Sequence, residues 1–185
     1  MTCSLNSSLA SSLNNSLASI PASPLTVRVC MPGDWRALKA VRLAALLDAP
    51  TAFGVTHASA AAYTDADWQQ RAQSAAQRAY VLAFDGDMAV GLAAHAQASD
   101  GACHLLAMWV APAWRGSDAA SRLVALAKQR AMHAGHARMV LDVAPENARA
   151  AAFYQRQGFV FTSHREPLES HPHIVLQQMA CQLQA

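Results

Sequence analysis

The stretch "AYVLAFDGDMAVGLAAHAQASDGACHLLAMWVAP", Ala79 to Pro112, constrains the fold of this chain more than any other. Asp85-Gly86 and Asp100-Gly101 divide it into three apolar runs. Asp-Gly is favoured in tight hairpin loops, where the backbone needs positive φ. Three successive antiparallel strands are therefore predicted. The rhythm then changes from period two to helical spacing. Between about Ser117 and His133, Leu123, Val124, Ala127 and Ala131 fall on one helix face, and Gly135 is a C-terminal stop. "RMVLDV" reads as a strand and "NARAAAFYQRQG" as a helix ended by Gly158. Strand, helix and strand in succession make a crossover, and a crossover joins parallel neighbours. The sheet must be mixed, with helices packed on its faces.

The flanks add the remaining elements. "LTVRVC" is a β-branched first strand, and Asp34 is placed to cap a helix carrying Trp35, Leu38, Val41 and Ala45. Thr64 with Asp67 forms a capping box that opens another helix. "FVFTSHREP" and "HIVLQQMACQL" are two last strands around a loop with Pro167, His171 and Pro172. The expected fold is α/β, a mixed sheet of about seven strands flanked by about four helices, with its ligand at the carboxyl ends of the central strands.

Composition narrows the classes of function. The 185 residues are 53% hydrophobic and 14% charged, enough for one well-cored domain, read as residues 25–185. Residues 1–24 are rich in Ser, Leu and Asn and carry no charge, so they are read as a disordered extension. Within it Leu5, Leu9, Leu13 and Leu17 recur every four residues, a stripe suited to docking on the domain or on a second copy, which leaves a homodimer open. A net charge of +2 lacks the basic stripe of a nucleic-acid binder. No apolar run is long enough to span a membrane. The four cysteines are scattered singly, as suits a reducing cytoplasm.

Two motifs stand in the crossover region. The first is "MWVAPAWRGSDAASRLV", from Met108 to Val124, and the second is "NARAAAFYQRQGF", from Asn147 to Phe159. In this order, separated by one strand, they resemble the GNAT superfamily of acyl-CoA-dependent N-acetyltransferases. Val110, Pro112, Arg115 and Ala120 match that family's phosphate-loop pattern, and Asp118 stands where the family has an internal glycine. Asn147, Phe153, Tyr154, Gly158 and Phe159 match the second pattern. The resemblance implies acetyl-CoA as cosubstrate, no metal, and transfer to the amine of a small molecule or a peptide N-terminus in a ternary complex. A CoA-binding or regulatory module with the same fold and impaired turnover is the alternative reading, because of Asp118 and the lack of a glutamate on "CHLLAMWV".

The residue types carry chemistry of their own. The first turn of a helix leaves backbone N–H groups unpaired, and the macrodipole makes that end positive. Gly116, Ser117, Ala119 and Ala120 are thus donors for a pyrophosphate. Met108, Trp109, Val110 and Phe153 join them in the cofactor site implied by the resemblance. Arg115 is either a phosphate ligand or a solvated surface cation. Asp118 is expected to repel the phosphates, by about 0.7–3 kcal/mol at about 6 Å. Tyr154 is the family's position for the acid that protonates the leaving thiolate, or else a core aromatic. Asn147 orients the pantetheine arm, caps its helix, or does both. For the base, His104 is the titratable residue on its strand, with a reference pKa of about 6.5. Asp142, Glu146 and ordered water are weaker candidates. His133, His136, His171 and His173 lie at element ends with no metal-ligand spacing. Acceptor contacts are expected from "DAPTAFGVTHASAAAYTDADW" and "REPLESHPH", which hold Phe53, His57, Tyr63, Glu166 and Glu169.

Overall fold

The hairpins and the crossover assemble into one seven-stranded mixed sheet. The computed structural model describes residues 25–98 and 101–183. In chain order the elements are β1 (Thr26–Val29), α1 (Trp35–Asp48), α2 (His57–Ala61), α3 (Asp65–Ala72), β2 (Arg78–Asp85), β3 (Met88–Gln97), β4 (Cys103–Val110), α4 (Ala119–His133), β5 (Arg138–Val143), α5 (Ala148–Arg156), β6 (Val160–Leu168) and β7 (His171–Gln182). The strand order is β1-β2-β3-β4-β5-β7-β6. Of these neighbours only β4 and β5 run parallel. The crossover through α4 imposes that exception.

Most sequence-level expectations match, with local differences. Among the described residues there are five α-helices instead of about four. The added one is α2, whose Thr56 Oγ1 accepts from the Ser59 N–H at 3.2 Å. Its five residues, "HASAA", carry too little apolar periodicity to announce a helix. The Thr64–Asp67 capping box forms as predicted. Asp34 sits at the start of α1 but makes no side-chain bond to the helix. Its carboxylate instead accepts from the Met31 N–H at 2.7 Å and pairs with Arg28 of β1. The loop expected around Pro167 and Pro172 is mostly strand, because β6 runs to Leu168 and β7 begins at His171. Pro167 is tolerated there since β6 is an edge strand with one ladder to satisfy. The leucine stripe of residues 1–24, and Ser99 and Asp100 of the second hairpin turn, lie outside the described residues.

The sheet separates two cores. On one face α4 buries Leu123, Val124, Ala127 and Ala131 against Val81, Ala93, Leu105, Met139 and Leu141. On the other, Leu38, Val41, Ala45 and Leu46 of α1 join Trp68 of α3 over Tyr80, Leu82 and Leu92. Each fully buried Leu, Val or Met side chain stabilises the fold by about 1.5–3 kcal/mol. Gly91 lets α4 approach β3 closely: a Cβ there would lie 3.2 Å from Leu123 Cδ1 and 3.2 Å from the Trp109 carbonyl oxygen.

A β-bulge in β4 breaks the regularity of the sheet. Ala94 pairs with Leu106 and Leu92 with Trp109, so β4 holds one extra residue over this interval. Ala107 absorbs it with φ of 55°, a left-handed conformation that costs a non-glycine residue about 1–2 kcal/mol. A bulge bends its strand and increases local twist. Accordingly β4 and β5 pair only at Cys103–Met139 and His104–Val140. Beyond those pairs the two strands part, and the gap between them positions the site.

Candidate active site

The parted strands enclose a cleft of about 610 Å³. Leu106, Ala107 and Met108 of β4 line one wall and Leu141 to Val143 of β5 the other, with Asn147, Ala150 and Tyr154 at the α5 side. A second hollow of about 730 Å³ shares Phe53, Leu106, Ala107 and Asp142 with it and extends to Arg42, Tyr80, His104 and Glu166. The two are thus contiguous through the gap. One part lies against α5, and the other lies under α1 and the β6–β7 turn.

Helix α5 supplies the first group of predicted residues. Asn147 caps it, its Oδ1 accepting from the Ala150 N–H at 3.1 Å, and also lines the cleft. Tyr154 follows two helical turns later and lines the same cleft. Its ring meets Phe153 and Phe159 edge-on, with centroids 5.3 and 5.9 Å away. Burial in these surroundings pushes the phenol well above its ordinary range, so Tyr154 keeps its proton at neutral pH. Tyr154 is therefore both packed and facing the cleft. Phe153 and Met108 pack against the α4-side core.

His104 stands where β4 and β5 are still paired, at the head of the gap. Its Nδ1 lies 3.9 Å from Asp142 Oδ2, with both side chains mostly covered. Asp142 Oδ1 is buried without a hydrogen-bond partner among the described residues. Burial foremost, then the charge of Glu166, raises the Asp142 pKa, while His104 and His164 pull it down. Glu146 lines the cleft beyond β5. His95 on β3 offers a contrast: it is fully buried, both ring nitrogens lack partners, and burial lowers its pKa to about 4. It stays neutral at pH 7 and has no carboxylate to steady a proton. Sequence reasoning left Asp142 among the weaker candidates because its contact with His104 arises only from the strand pairing.

The turn between β4 and α4 holds the remaining predicted residues. Gly116 adopts φ of 89°, which is why a glycine stands there. Ser117 Oγ donates to the Trp114 carbonyl at 2.7 Å and accepts from the Ala119 N–H at 3.2 Å, so Ser117 provides the side-chain cap of α4. The N–H groups of Gly116, Asp118 and Ala120 have no acceptor recorded among the described residues. Arg115 turns away from these donors. Its Nε donates to the Val110 carbonyl at 3.1 Å and its Nη2 meets the Asp48 carboxylate. The same carboxylate accepts from Trp109 Nε1 at 2.8 Å, and these bonds hold the Asp48 pKa down, the one from Trp109 most strongly. Asp48, at the end of α1, thus ties that helix to the phosphate-loop motif, a role that no local sequence signal announces.

Asp118 makes no side-chain hydrogen bond to the helix it precedes, although its carbonyl accepts from the Arg122 N–H at 3.0 Å. Its carboxylate lies 3.8 Å from Arg122 and its side chain is 68% exposed. Such exposure puts its repulsion of a bound phosphate at the high-dielectric limit, about 0.7 kcal/mol at about 6 Å, or about threefold in affinity. Asp118→Asn and Asp118→Gly should each tighten acetyl-CoA binding about threefold by titration calorimetry. Tightening beyond tenfold would show that the carboxylate swings onto the phosphates. Unchanged or weaker binding would show that it never meets them.

Both segments expected to contact an acceptor border the hollow. Ala52 to Val55 reach it from the α1–α2 connection, and Glu166 to Glu169 from the β6–β7 turn. Ser170 Oγ donates to the Phe53 carbonyl at 2.6 Å and clasps the two segments together. His57 and Tyr63 do not line it. Arg42, which no local sequence signal singles out, does.

No group of three His, Cys, Asp or Glu side chains able to hold a metal occurs among the described residues, and no described helix is long and apolar enough to cross a membrane. The fold has close counterparts among solved structures. An acetyltransferase of the GNAT family from Streptococcus pneumoniae superposes with a TM-score of 0.72 at 19% identity, over 86% of this chain and 99% of that one. YncA from Salmonella typhimurium, solved with its cofactor acetyl-CoA, gives 0.69 at 16% identity, over 86% and 94%. A GCN5-related N-acetyltransferase from Kribbella flavida gives 0.67 at 21%, over 86% and 98%. No curated protein matches the chain in sequence. The family model for the acetyltransferase (GNAT) family matches residues 43–159, which run from the last turns of α1 to the end of the Asn147–Phe159 motif. With the parted strands, the loop and the α5 residues in their places, the chain belongs to the GNAT family of acetyltransferases.

Proposed function

We propose that this protein transfers the acetyl group of acetyl-CoA to a primary amine by direct attack in a ternary complex. The observation that carries this reading is the continuous gap between β4 and β5, with Tyr154 on its α5 side and the His104–Asp142 pair at its head. The residues present fit the cosubstrate: α4 begins with unpaired N–H groups and a positive dipole end, suited to a pyrophosphate. When bound, acetyl-CoA supplies a thioester whose carbonyl carbon takes the amine lone pair and whose C–S bond breaks.

The protein moves the protons. As the new N–C bond forms, His104 accepts the proton that the nitrogen loses, and Asp142 steadies the resulting imidazolium. Tyr154 gives its proton to the departing sulfur, and exchange with solvent then takes the proton from the His104 imidazolium and returns one to the Tyr154 phenolate, so one proton in total passes from nitrogen to sulfur. Its burial suits this task, because a thiolate in the same low-dielectric surroundings is also raised in basicity. The bulge leaves Ala107 and Met108 outside the β3 ladder, with backbone N–H groups directed to the thioester carbonyl in this reading.

Two measurements test it. Acetyl-CoA at about a hundred times its Kd should stabilise the fold by about 2.7 kcal/mol, a rise of about 5–10 °C in Tm. Free thiol should then be released in the presence of a suitable amine. A Tm rise without thiol release across a broad amine panel would favour the alternative of a CoA-binding module. No Tm rise at saturating concentration would overturn both.

A further inference from the structure

The acceptor hollow contains a half-buried cation with no ion-pair partner among the described residues. Arg42 of α1 lines it, stacked on Phe53 with the guanidinium carbon 4.5 Å from the ring centroid. Its Nη1 is buried and has no hydrogen-bond partner among the described residues. The groups acting on it most strongly, besides burial, are Tyr80, Arg71 and Tyr63, none of them a carboxylate. A buried charge is costly unless paired, and a guanidinium stacked by its face keeps its N–H edge free for a planar carboxylate. Arg78 lines the same hollow and adds positive charge. The opposite side is acidic, with Asp142 and Glu166 beside His104. Glu169 lines it as well, with a carboxylate oxygen 3.5 Å from where a Cβ would stand on Gly54, so the hollow carries both signs of charge, and among the described residues no carboxylate is within ion-pair distance of Arg42.

From these observations we infer that the acceptor is a primary amine that also carries a carboxylate, bound by Arg42, several bonds from the nitrogen. This inference rests on the acetyl-transfer reading above. The sheet gives the scale. Tyr80 on β2 pairs with Ala94 on β3, which pairs with Leu106 on β4, two residues from His104. Strands lie about 4.8 Å apart, so the strand positions that floor the two sides of the hollow are about 10 Å apart. A flexible ω-amino acid spans them.

The test uses 6-aminohexanoate, 6-aminohexanamide and hexylamine, whose amines have nearly equal basicity because the variable group is far from nitrogen. In wild type, KM for 6-aminohexanoate should be about tenfold to a hundredfold lower than for the other two, the range expected of a charge-assisted bond. That preference should collapse in Arg42→Gln and persist in part in Arg42→Lys, with the acetyl-CoA thermal shift showing that each variant is folded. Equal KM for the three amines in wild type would overturn the carboxylate assignment and leave acetyl transfer standing. Calorimetry with 6-acetamidohexanoate and CoA gives a readout without turnover. Binding that weakens about tenfold or more in Arg42→Gln supports the assignment, even if no amine releases thiol and the transfer reading falls. Failure of 6-acetamidohexanoate to bind wild type at millimolar concentration overturns the assignment.

Discussion

Tyr154→Phe is expected to lower kcat by about 10²- to 10⁴-fold while acetyl-CoA affinity changes by no more than about threefold. The substitution removes one oxygen and keeps the ring that meets Phe153 and Phe159 edge-on, so packing on α5 is preserved. The phenol oxygen has no hydrogen-bond partner among the described residues, so no internal hydrogen bond between them is lost with it. What remains to be lost is the proton that burial in the cleft keeps on Tyr154. Single-turnover kinetics should place the defect in the chemical step. An unchanged kcat under conditions where chemistry is rate-limiting would reduce Tyr154 to a core aromatic.

His104→Gln should reduce kcat/KM by about 10²- to 10⁴-fold near neutrality, with the deficit narrowing as pH rises. The sign follows from the amine: at high pH more of it is already deprotonated, and a protein base matters less. Asp142→Asn tests the positioning role separately. Removing a negative charge 3.9 Å from Nδ1 disfavours the imidazolium, so the acidic limb of the pH–rate profile should move to lower pH. A histidine that only fills space would leave that limb where it is in both variants. A parallel fall at every pH in His104→Gln would point to a structural loss, and far-UV circular dichroism with a melting curve would separate the two.

The elements of the fold were legible because each has a local cause. Hairpins followed from Asp-Gly turns, α4 from the spacing of Leu123, Val124, Ala127 and Ala131, and the α3 start from the Thr64–Asp67 box. The order of those elements forced one parallel pair, and the structure places it between β4 and β5. The α5 motif likewise gave the helix whose cap is Asn147 and whose cleft residue is Tyr154. All of these depend on residues within a turn or two of each other, where backbone geometry dictates which side chains share a face.

The site itself was decided by tertiary structure. An alanine at φ of 55° bears no sequence mark, yet the bulge at Ala107 accompanies the parting of β4 from β5 that makes the cleft. Asp48 meets Trp109 and Arg115 across 61 and 67 residues, and thereby takes Arg115 away from the loop where its motif position implied a phosphate ligand. Asp118 is expected from its position to repel the phosphates, but its carboxylate faces solvent and Arg122, while Ser117 Oγ accepts from the first N–H of α4. His104 and Asp142 become partners only through the register of a parallel pair, and Arg42 becomes an unpaired cation only because packing brings aromatic rings and other arginines to it. Periodicity fixes which face of an element is buried. The partner that a polar side chain finds there depends on how distant elements pack, so the sequence determined the scaffold and its motifs, and three-dimensional packing assigned the charges their tasks.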